Sequence, residues 1–226
     1  MTQEDQIGRG RLLARPGPGQ PDAATGLQRL PLEDGREVLL YVPQRHHHCQ
    51  PAALALMLHG AGGSATDGMG LLQPVAELVG LLVVAPQSHG RTWDVILRDY
   101  GPDVALIDQA LDQVFDQYLI DPAHLAIGGF SDGASYALSL GITNGDVFSH
   151  VLAFAPGFAA PADVRGSPRL YIAHGTRDTV LPIDRCGRRL ADWYSHNGYD
   201  LHYHEFDGGH TVPPEIALEA LQWFLE

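Results

Sequence analysis

The sequence contains no lysine, so all of its basic side chains are arginines. Its 226 residues include 14 basic and 27 acidic side chains, which give a formal net charge of −13 at pH 7. Sequence-independent nucleic-acid binding requires basic side chains clustered against phosphates, and this chain has no basic run. The same shortage disfavours docking on anionic membranes. We therefore expect neither a nucleic-acid partner nor a membrane partner.

Cysteines and long apolar runs are also few. The two cysteines, Cys49 and Cys186, cannot form a disulfide framework and are not spaced as metal ligands. No apolar run approaches the roughly 18 residues that a membrane span requires. The N-terminal residues lack the basic and then apolar segments of an export signal. We therefore expect free thiols and a cytoplasmic protein.

The chain does contain a regular alternation of short apolar runs with longer amphipathic segments. Residues 1–26, rich in Gly, Pro and polar side chains, predict an irregular N-terminal arm, and residues 27–226 predict a single domain. Two β-like segments separated by Glu33-Asp34-Gly35 predict a hairpin. The later apolar runs are typical of strands buried on both faces. Together these patterns predict an α/β fold whose mostly parallel central sheet is covered by helices on both faces.

The motif that carries chemistry is Gly129-Phe130-Ser131-Asp132-Gly133. It follows an apolar run and precedes a helix-forming stretch, which is the strand–turn–helix setting that G-x-S-x-G requires to act as a nucleophile elbow. Glycines on either side of the serine remove Cβ atoms that would collide with the neighbouring strand and helix. The pattern predicts that the Ser131 hydroxyl projects over the carboxyl end of the sheet at a helix N-terminus, where it acts as a nucleophile.

A nucleophilic serine needs a base and an orienting carboxylate, which follow it in the order Asp then His in this kind of fold. Asp178 and His210 each come shortly after a predicted strand, so they should meet Ser131 at the carboxyl edge of the sheet. Two rival carboxylates are less suitable. Asp207 is so close to His210 in sequence that we expect it to shape the turn, and Asp184 lies inside the start of a helix.

A glycine-rich loop, His59-Gly60-Ala61-Gly62-Gly63, follows the third predicted strand. It cannot be a phosphate-binding P-loop, because that motif requires a lysine, and it does not match a dinucleotide-binding motif. In a serine hydrolase this loop supplies half of an oxyanion hole. We predict that the backbone N–H groups of Ala61 and Asp132 are the two donors.

Other polar clusters are interpreted as structural. The tract His46-His47-His48 lies in a predicted loop, and His202 and His204 share one face of a strand but have no third ligand nearby in sequence. Three aspartates at helical spacing are expected on a solvated face: Asp108, Asp112 and Asp116. We therefore predict no metal site and no cofactor.

The quoted motifs together resemble the α/β-hydrolases, and specifically the small phospholipase/carboxylesterase and dienelactone-hydrolase-like group. A further matching segment is residues 174–182, HGTRDTVLP, and the resemblance covers roughly residues 36–226. It implies an α/β-hydrolase fold and a catalytic triad of Ser131, Asp178 and His210. Two features depart from the group. Asp132 stands where the carboxylesterases usually have Gln, and the nucleophile is Ser where dienelactone hydrolases use Cys.

The reaction implied is ester hydrolysis through an acyl-enzyme, with a small-molecule ester as the partner. The short segment 155–168 leaves no room for a cap domain, so we expect an open cleft suited to short-chain acyl or aryl esters. Trp93, Phe158 and Val180 are predicted to bind substrate, and the acidic surplus should disfavour anionic esters. A thioesterase, lysophospholipase or peptidase, or a non-catalytic binding protein, remains an alternative. A homodimer is also left open.

Overall fold

The computed structural model describes residues 2–20, 24–32, 35–47, 49–97 and 99–226. In these residues, eight strands form one sheet. The strands are β1 (Gly26–Arg29), β2 (Val38–Val42), β3 (Ala52–Leu58), β4 (Leu82–Pro86), β5 (Ile120–Phe130), β6 (His150–Phe154), β7 (Arg169–Gly175) and β8 (Leu201–Phe206). Their order across the sheet is β1-β2-β4-β3-β5-β6-β7-β8.

The sheet is mostly parallel, as the sequence predicts. Strands β4, β3, β5, β6, β7 and β8 run parallel, and β1 and β2 are antiparallel to their neighbours. Every residue of β4 and β6 is buried, which is why these runs show no polar alternation. Within the predicted hairpin, Glu33 and Asp34 lie outside the described residues.

Helices cover both faces of the sheet. The helices are α1 (Gln3–Ile7), α2 (Ala65–Gly70), α3 (Gln73–Val79), α4 (Asp94–Leu97), α5 (Pro102–Gln117), α6 (Asp132–Thr143), α7 (Gly187–His196) and α8 (Pro214–Phe224). Buried side chains of α5, α6 and α7 join one hydrophobic core, and those of α2, α3 and α8 join a second. The prediction of a doubly covered sheet is therefore confirmed. Residues 155–168 contain no helix, so no cap is inserted there.

The N-terminal segment differs from the predicted irregular arm. Residues 21–23 lie outside the described part, but α1 is a helix, with a capping box formed by Thr2 and Asp5. Beyond it, Leu12 is fully buried against the core and Ala14 is nearly so. The reason is that two alternating apolar side chains in this polar stretch find a hydrophobic surface on the domain, which composition alone does not reveal.

Asp108 holds this segment and is not the solvated residue that its helical spacing predicts. Its side chain is buried, and its Oδ1 accepts hydrogen bonds from the backbone N–H groups of Leu13 at 2.6 Å and Ala14 at 2.9 Å. Asp112 and Asp116, one and two turns further along α5, are exposed as expected. The buried carboxylate therefore satisfies backbone donors that would otherwise be left without a partner.

Candidate active site

Ser131 lies at a strained turn between the end of β5 and the start of α6. Its backbone has φ 58° and ψ −119°, a left-handed conformation that a non-glycine residue rarely adopts. A Cβ on Gly129 would lie 2.6 Å from the carbonyl oxygen of Leu58, and one on Gly133 would collide with the same oxygen. The two glycines therefore let β3, the turn and α6 approach each other, as the motif predicts.

The three residues predicted from the sequence meet at the carboxyl edge of the sheet. His210 Nε2 lies 2.9 Å from Ser131 Oγ, and His210 Nδ1 lies 2.6 Å from Asp178 Oδ2. Asp178 follows β7 and His210 follows β8, so the neighbouring strands deliver them side by side. In the tautomer that these contacts require, Nδ1–H donates to Asp178 and Nε2 accepts from the serine hydroxyl.

Asp178 is held as a carboxylate by its surroundings. Its side chain is fully buried, and burial by itself would raise its pKa. The hydrogen bond from His210, together with those from the backbone N–H groups of Leu181 and Val180 at 2.8 and 2.9 Å, outweighs burial and holds the pKa below its ordinary value. A charged acceptor is therefore available to His210.

A second histidine contacts Asp178, and sequence reasoning missed it. His174 Nε2 lies 3.3 Å from Asp178 Oδ2 and 2.7 Å from the carbonyl oxygen of Leu181, so its N–H donates toward both. The ring is fully buried, and burial lowers its pKa. His174 is therefore a neutral donor beneath the carboxylate. Its position directly at the end of β7, four residues before Asp178, was the available signal.

The rival carboxylates are occupied elsewhere. Asp207 forms an exposed ion pair with Arg177 at 2.9 Å, and Asp184 forms one with Arg188 at 2.7 Å. We expected the Asp207 side chain to shape the turn before His210. It instead points toward Arg177, its ion-pair partner. Neither carboxylate has a described contact with His210.

The glycine-rich loop leaves two backbone donors beside the serine. Among the described residues, neither the Ala61 N–H nor the Asp132 N–H has a hydrogen-bond acceptor, whereas the next donor, Gly62 N–H, is bonded to the Arg91 carbonyl at 2.6 Å. The Asp132 side chain accepts from the Thr92 hydroxyl at 2.8 Å. The two free donors are therefore available to an oxyanion.

His59 fixes this loop from below. Its Nδ1 lies 2.7 Å from the Gly60 carbonyl oxygen, and its Nε2 accepts from the Ser88 N–H at 3.1 Å. Burial lowers its pKa, in keeping with the neutral ring that these two contacts require.

Trp93 corrects a prediction, because it does not line a substrate site. Its side chain has no exposed surface, its indole N–H donates to the His59 carbonyl at 2.9 Å, and its ring stacks on Tyr136. A buried indole needs a hydrogen-bond acceptor for its N–H group. Here the acceptor is the His59 carbonyl oxygen beneath the loop, and the sequence does not show that contact. Trp93 therefore supports the glycine-rich loop from inside.

A shallow cleft of about 470 Å³ lies beside His210. Its walls are the glycine-rich loop, His210 and five further residues: Asp67, Leu71, Phe130, Thr211 and Val212. The Phe130 ring packs against the His210 ring with centroids 4.6 Å apart. Phe158, which is half-buried, and Val180, which is 62% exposed, are not among the cleft-lining residues. A role of Phe158 and Val180 in substrate binding therefore stays a prediction.

One histidine pair gains the third ligand that the sequence did not show. His202 and His204 on β8 meet Glu219 on α8, whereas in the tract beginning at His46 the residue His48 lies outside the described residues.

None of the helices in the described part of the chain has the length and hydropathy needed to span a membrane.

The sheet, the strained serine turn and the convergence of three side chains at its carboxyl edge define an α/β-hydrolase. Comparisons with known proteins agree with this class. Residues 102–226 match the family model described as phospholipase/carboxylesterase. Feruloyl esterase C of Emericella nidulans is 31% identical over 81% of this chain and 69% of its own length. The chain belongs to the phospholipase/carboxylesterase family and is a carboxylic ester hydrolase.

The chain is also similar to a curated thioesterase and to a solved esterase structure. The acyl-protein thioesterase 1 of Gibberella zeae is 23% identical over 86% of this chain and 97% of its own length. A ferulic acid esterase from Anaeromyces mucronatus, solved in complex with ferulic acid, superposes with a TM-score of 0.66 at 17% identity, covering 88% of this chain and 89% of its own. The latter likeness establishes the fold. The chain spans about two thirds of the length of the feruloyl esterases that it matches.

Proposed function

We propose that this protein is a serine carboxylesterase that hydrolyses small esters with a short acyl chain or an aromatic acyl group. The observation that carries the proposal is the continuous hydrogen-bonded line from Ser131 through His210 to Asp178, with contacts of 2.9 and 2.6 Å. The reaction proceeds in two acyl-transfer steps. His210 takes the Ser131 proton as Oγ attacks the ester carbonyl, and it then donates that proton to the leaving alcohol.

The second step releases the acid. A water molecule gives a proton to His210 and attacks the acyl-enzyme, and the serine leaves with the proton that His210 returns. In both steps the Ala61 and Asp132 N–H groups receive the developing oxyanion. Each such donor contributes about 3 kcal/mol to lowering the barrier. Asp178 keeps the imidazole in the required tautomer and stabilises its cation.

The substrate class is inferred from the cleft and from the relatives. The cleft is open, and its lining combines the Phe130 ring, which packs against His210, with Leu71, Val212 and the glycine-rich loop, and with Asp67 and Thr211 as polar groups. Such walls suit a flat aromatic or short acyl group and offer no tunnel for a long chain. Because the relative from Emericella nidulans is named a feruloyl esterase, feruloyl esters are the first aromatic substrates to test.

The test compares wild type with Ser131→Ala on p-nitrophenyl acetate, butyrate and octanoate and on methyl ferulate. We expect kcat to fall by about 10⁴-fold or more in the variant, because the nucleophile is lost. Ser195→Ala, which alters an exposed serine on α7, is the matched control and should retain full activity. Undiminished turnover by Ser131→Ala would contradict the mechanism.

The same assay separates the substrate part of the proposal from the mechanism. We expect faster hydrolysis of acetate, butyrate or ferulate esters than of the octanoate. A thioester hydrolysed faster than the oxygen ester of the same acyl group would favour the thioesterase alternative, which is the named activity of the relative from Gibberella zeae. That outcome would leave the role of Ser131 intact and overturn the substrate class.

A further inference from the structure

The edge strand β8 and the helix α8 bring two imidazoles and one carboxylate together on the surface. His202 and His204 alternate along β8, so both side chains lie on one face of the sheet. Glu219 on α8 reaches the same point. The ligand atoms of the three residues lie within 4.8 Å of one another. β8 is the last strand of the sheet, which leaves this cluster at an open edge.

We propose that His202, His204 and Glu219 bind one divalent transition-metal ion, zinc in the first instance. Glu219 Oε1 lies 2.9 Å from His204 Nδ1 and 3.3 Å from His202 Nε2. Ligand atoms on a tetrahedral zinc, with bonds of about 2.0–2.1 Å, are separated by roughly 3.3 Å. The two distances from the carboxylate oxygen are close to this separation, and the two histidine nitrogens lie within 4.8 Å of each other.

The ligand types select the metal. Two imidazoles and a carboxylate suit zinc, copper(II) or nickel, whereas magnesium and calcium favour sites built from oxygen ligands. The side chains of His202, His204 and Glu219 are 44%, 31% and 37% exposed. This exposure gives an ion direct access from solvent and leaves a fourth position for water.

The hydrogen bonding around Glu219 supports a cation at this point. Its Oε1 accepts a hydrogen bond from the Tyr171 hydroxyl at 3.1 Å, and the ring nitrogens of His204 and His202 lie 2.9 and 3.3 Å from the same oxygen. Glu219's only ion-pair partners among the described residues are those two histidines. A metal ion would balance the negative charge of the Glu219 carboxylate. The Tyr171 hydroxyl would then orient that carboxylate, as hydrogen-bond partners of metal ligands commonly do.

The rings beside the cluster restrict the motion of His202. The Tyr171 ring stacks on the His202 ring with centroids 5.1 Å apart and planes 10° from parallel, and the Trp223 ring lies 6.2 Å from His202 and 5.6 Å from Tyr171. A ring stacked on an aromatic neighbour loses less rotational freedom when it binds a metal, which favours binding.

Metal binding here would join the two elements on either side of the His210 loop. β8 ends at Phe206 and α8 begins at Pro214, so an ion held by both elements closes residues 207–213 at its base. The ion would therefore stabilise the fold around the loop that carries His210. The cluster takes no part in the proposed chemistry at Ser131, and its test does not depend on ester hydrolysis.

Two other histidine groups could bind metal and serve as controls. The tract 46–48 is the competing cluster of adjacent histidines, and His47→Gln interrupts it. His196 pairs with Asp192 on α7 at 3.2 Å, so His196→Gln removes a histidine–carboxylate pair for which no third ligand is described.

The experiment titrates zinc chloride into tag-free protein that has been treated with EDTA and dialysed, using isothermal calorimetry. Wild type should bind one zinc per chain at this site, and His204→Gln and Glu219→Gln should each weaken that binding at least tenfold. His47→Gln and His196→Gln should retain it. At a free zinc concentration 100 times Kd, wild type should also melt roughly 5 °C higher than without zinc, and the two ligand variants should not.

Cobalt(II) gives a second measurement that does not require the variants to be equally stable. Wild type loaded with cobalt should show the visible absorption of a tetrahedral nitrogen- and oxygen-bound ion, and zinc should displace it. Zinc binding that is unchanged in both ligand variants, or that is lost only in His47→Gln, would overturn the proposal. Absence of any binding by wild type would overturn it as well.

Discussion

Asp178 is the residue on which most of the site's hydrogen bonds converge. One of its oxygens receives the His210 N–H at 2.6 Å, and the other receives the backbone N–H groups of Val180 and Leu181. These bonds fix the carboxylate before any substrate binds. The orientation of the imidazole therefore depends on a rigid, buried anion.

We expect Asp178→Asn to reduce kcat by about 10³–10⁴-fold with little change in KM, because an amide can hold the imidazole in the wrong tautomer. The measurement is kcat and KM on p-nitrophenyl butyrate at pH 7.5. Asp207→Asn is the matched control, since Asp207 has an exposed ion pair with Arg177. Similar kinetic losses in the two variants would contradict the assignment of Asp178.

His150 is a buried titratable group away from the active site. Burial, with smaller effects of Arg169 and His124, lowers its pKa to about 4, against a weaker opposing effect of Asp200. Its Nδ1 contacts the Ser149 hydroxyl at 2.8 Å, and Trp223 packs edge-on against the ring. The folded protein therefore holds this side chain neutral at a pH where the unfolded chain protonates it.

This pKa difference sets the pH range of an acid destabilisation. The unfolded state binds the proton below about pH 6.5 and the folded state only below about pH 4, so the contribution is fully present above pH 6.5 and is lost as the pH falls toward 4. Its upper limit is roughly 3 kcal/mol. Urea unfolding at pH 7.5 and 4.5, with EDTA present, should show a smaller difference in His150→Gln than in wild type. An equal difference in both proteins would contradict it.

The triad was predictable at the residue scale, whereas its supports were not. Ser131, Asp178 and His210 each follow a strand in a recognisable order, and local sequence carries that information. Trp93 and His174 are positioned by partners that are distant in sequence or are backbone groups, namely the His59 and Leu181 carbonyl oxygens. Such contacts depend on the completed fold, so composition and spacing do not reveal them.

At the scale of elements, strand order was easier to predict than the packing of the N-terminal segment. The buried apolar runs define the parallel strands directly. Residues 11–14 read as part of a polar arm, yet they are bound to α5 and α6 by Asp108 and by Asn144, whose Oδ1 accepts the Leu12 N–H at 2.9 Å. Arg11 adds an ion pair with Asp146. These partners lie 94 to 135 residues away along the chain.

We expect Asp108→Ala to lower the free energy of unfolding by about 1–3 kcal/mol, because two backbone donors lose their acceptor. Asp112→Ala changes an exposed aspartate one turn away and should leave stability nearly unchanged, within about 0.5 kcal/mol. Urea denaturation of both variants at pH 7.5 measures the difference. Faster proteolysis within residues 2–20 of Asp108→Ala would locate the loosened segment. Equal stability of the two variants would show that the anchor has no energetic role.

At the scale of the whole molecule, the chain carries a net charge of −13, and its cleft is open to solvent. Asp67 lines the cleft, and Asp132 lies next to the nucleophile. Arg91 beside Gly62 opposes this negative field locally. Because long-range fields alter the approach of charged ligands more than that of neutral ones, the enzyme should discriminate among substrates by charge.

We expect neutral 4-acetoxybenzamide to have a kcat/KM about tenfold higher than anionic 4-acetoxybenzoate for hydrolysis of the acetyl ester at low ionic strength, after normalisation to their alkaline hydrolysis rates. The difference should narrow as salt is raised from about 0.01 M to 0.5 M, because the screening length then becomes shorter than the cleft. Arg91→Gln should widen it by removing the opposing charge. A salt-independent ratio, or faster turnover of the anion, would show that the acidic surplus does not act on substrate.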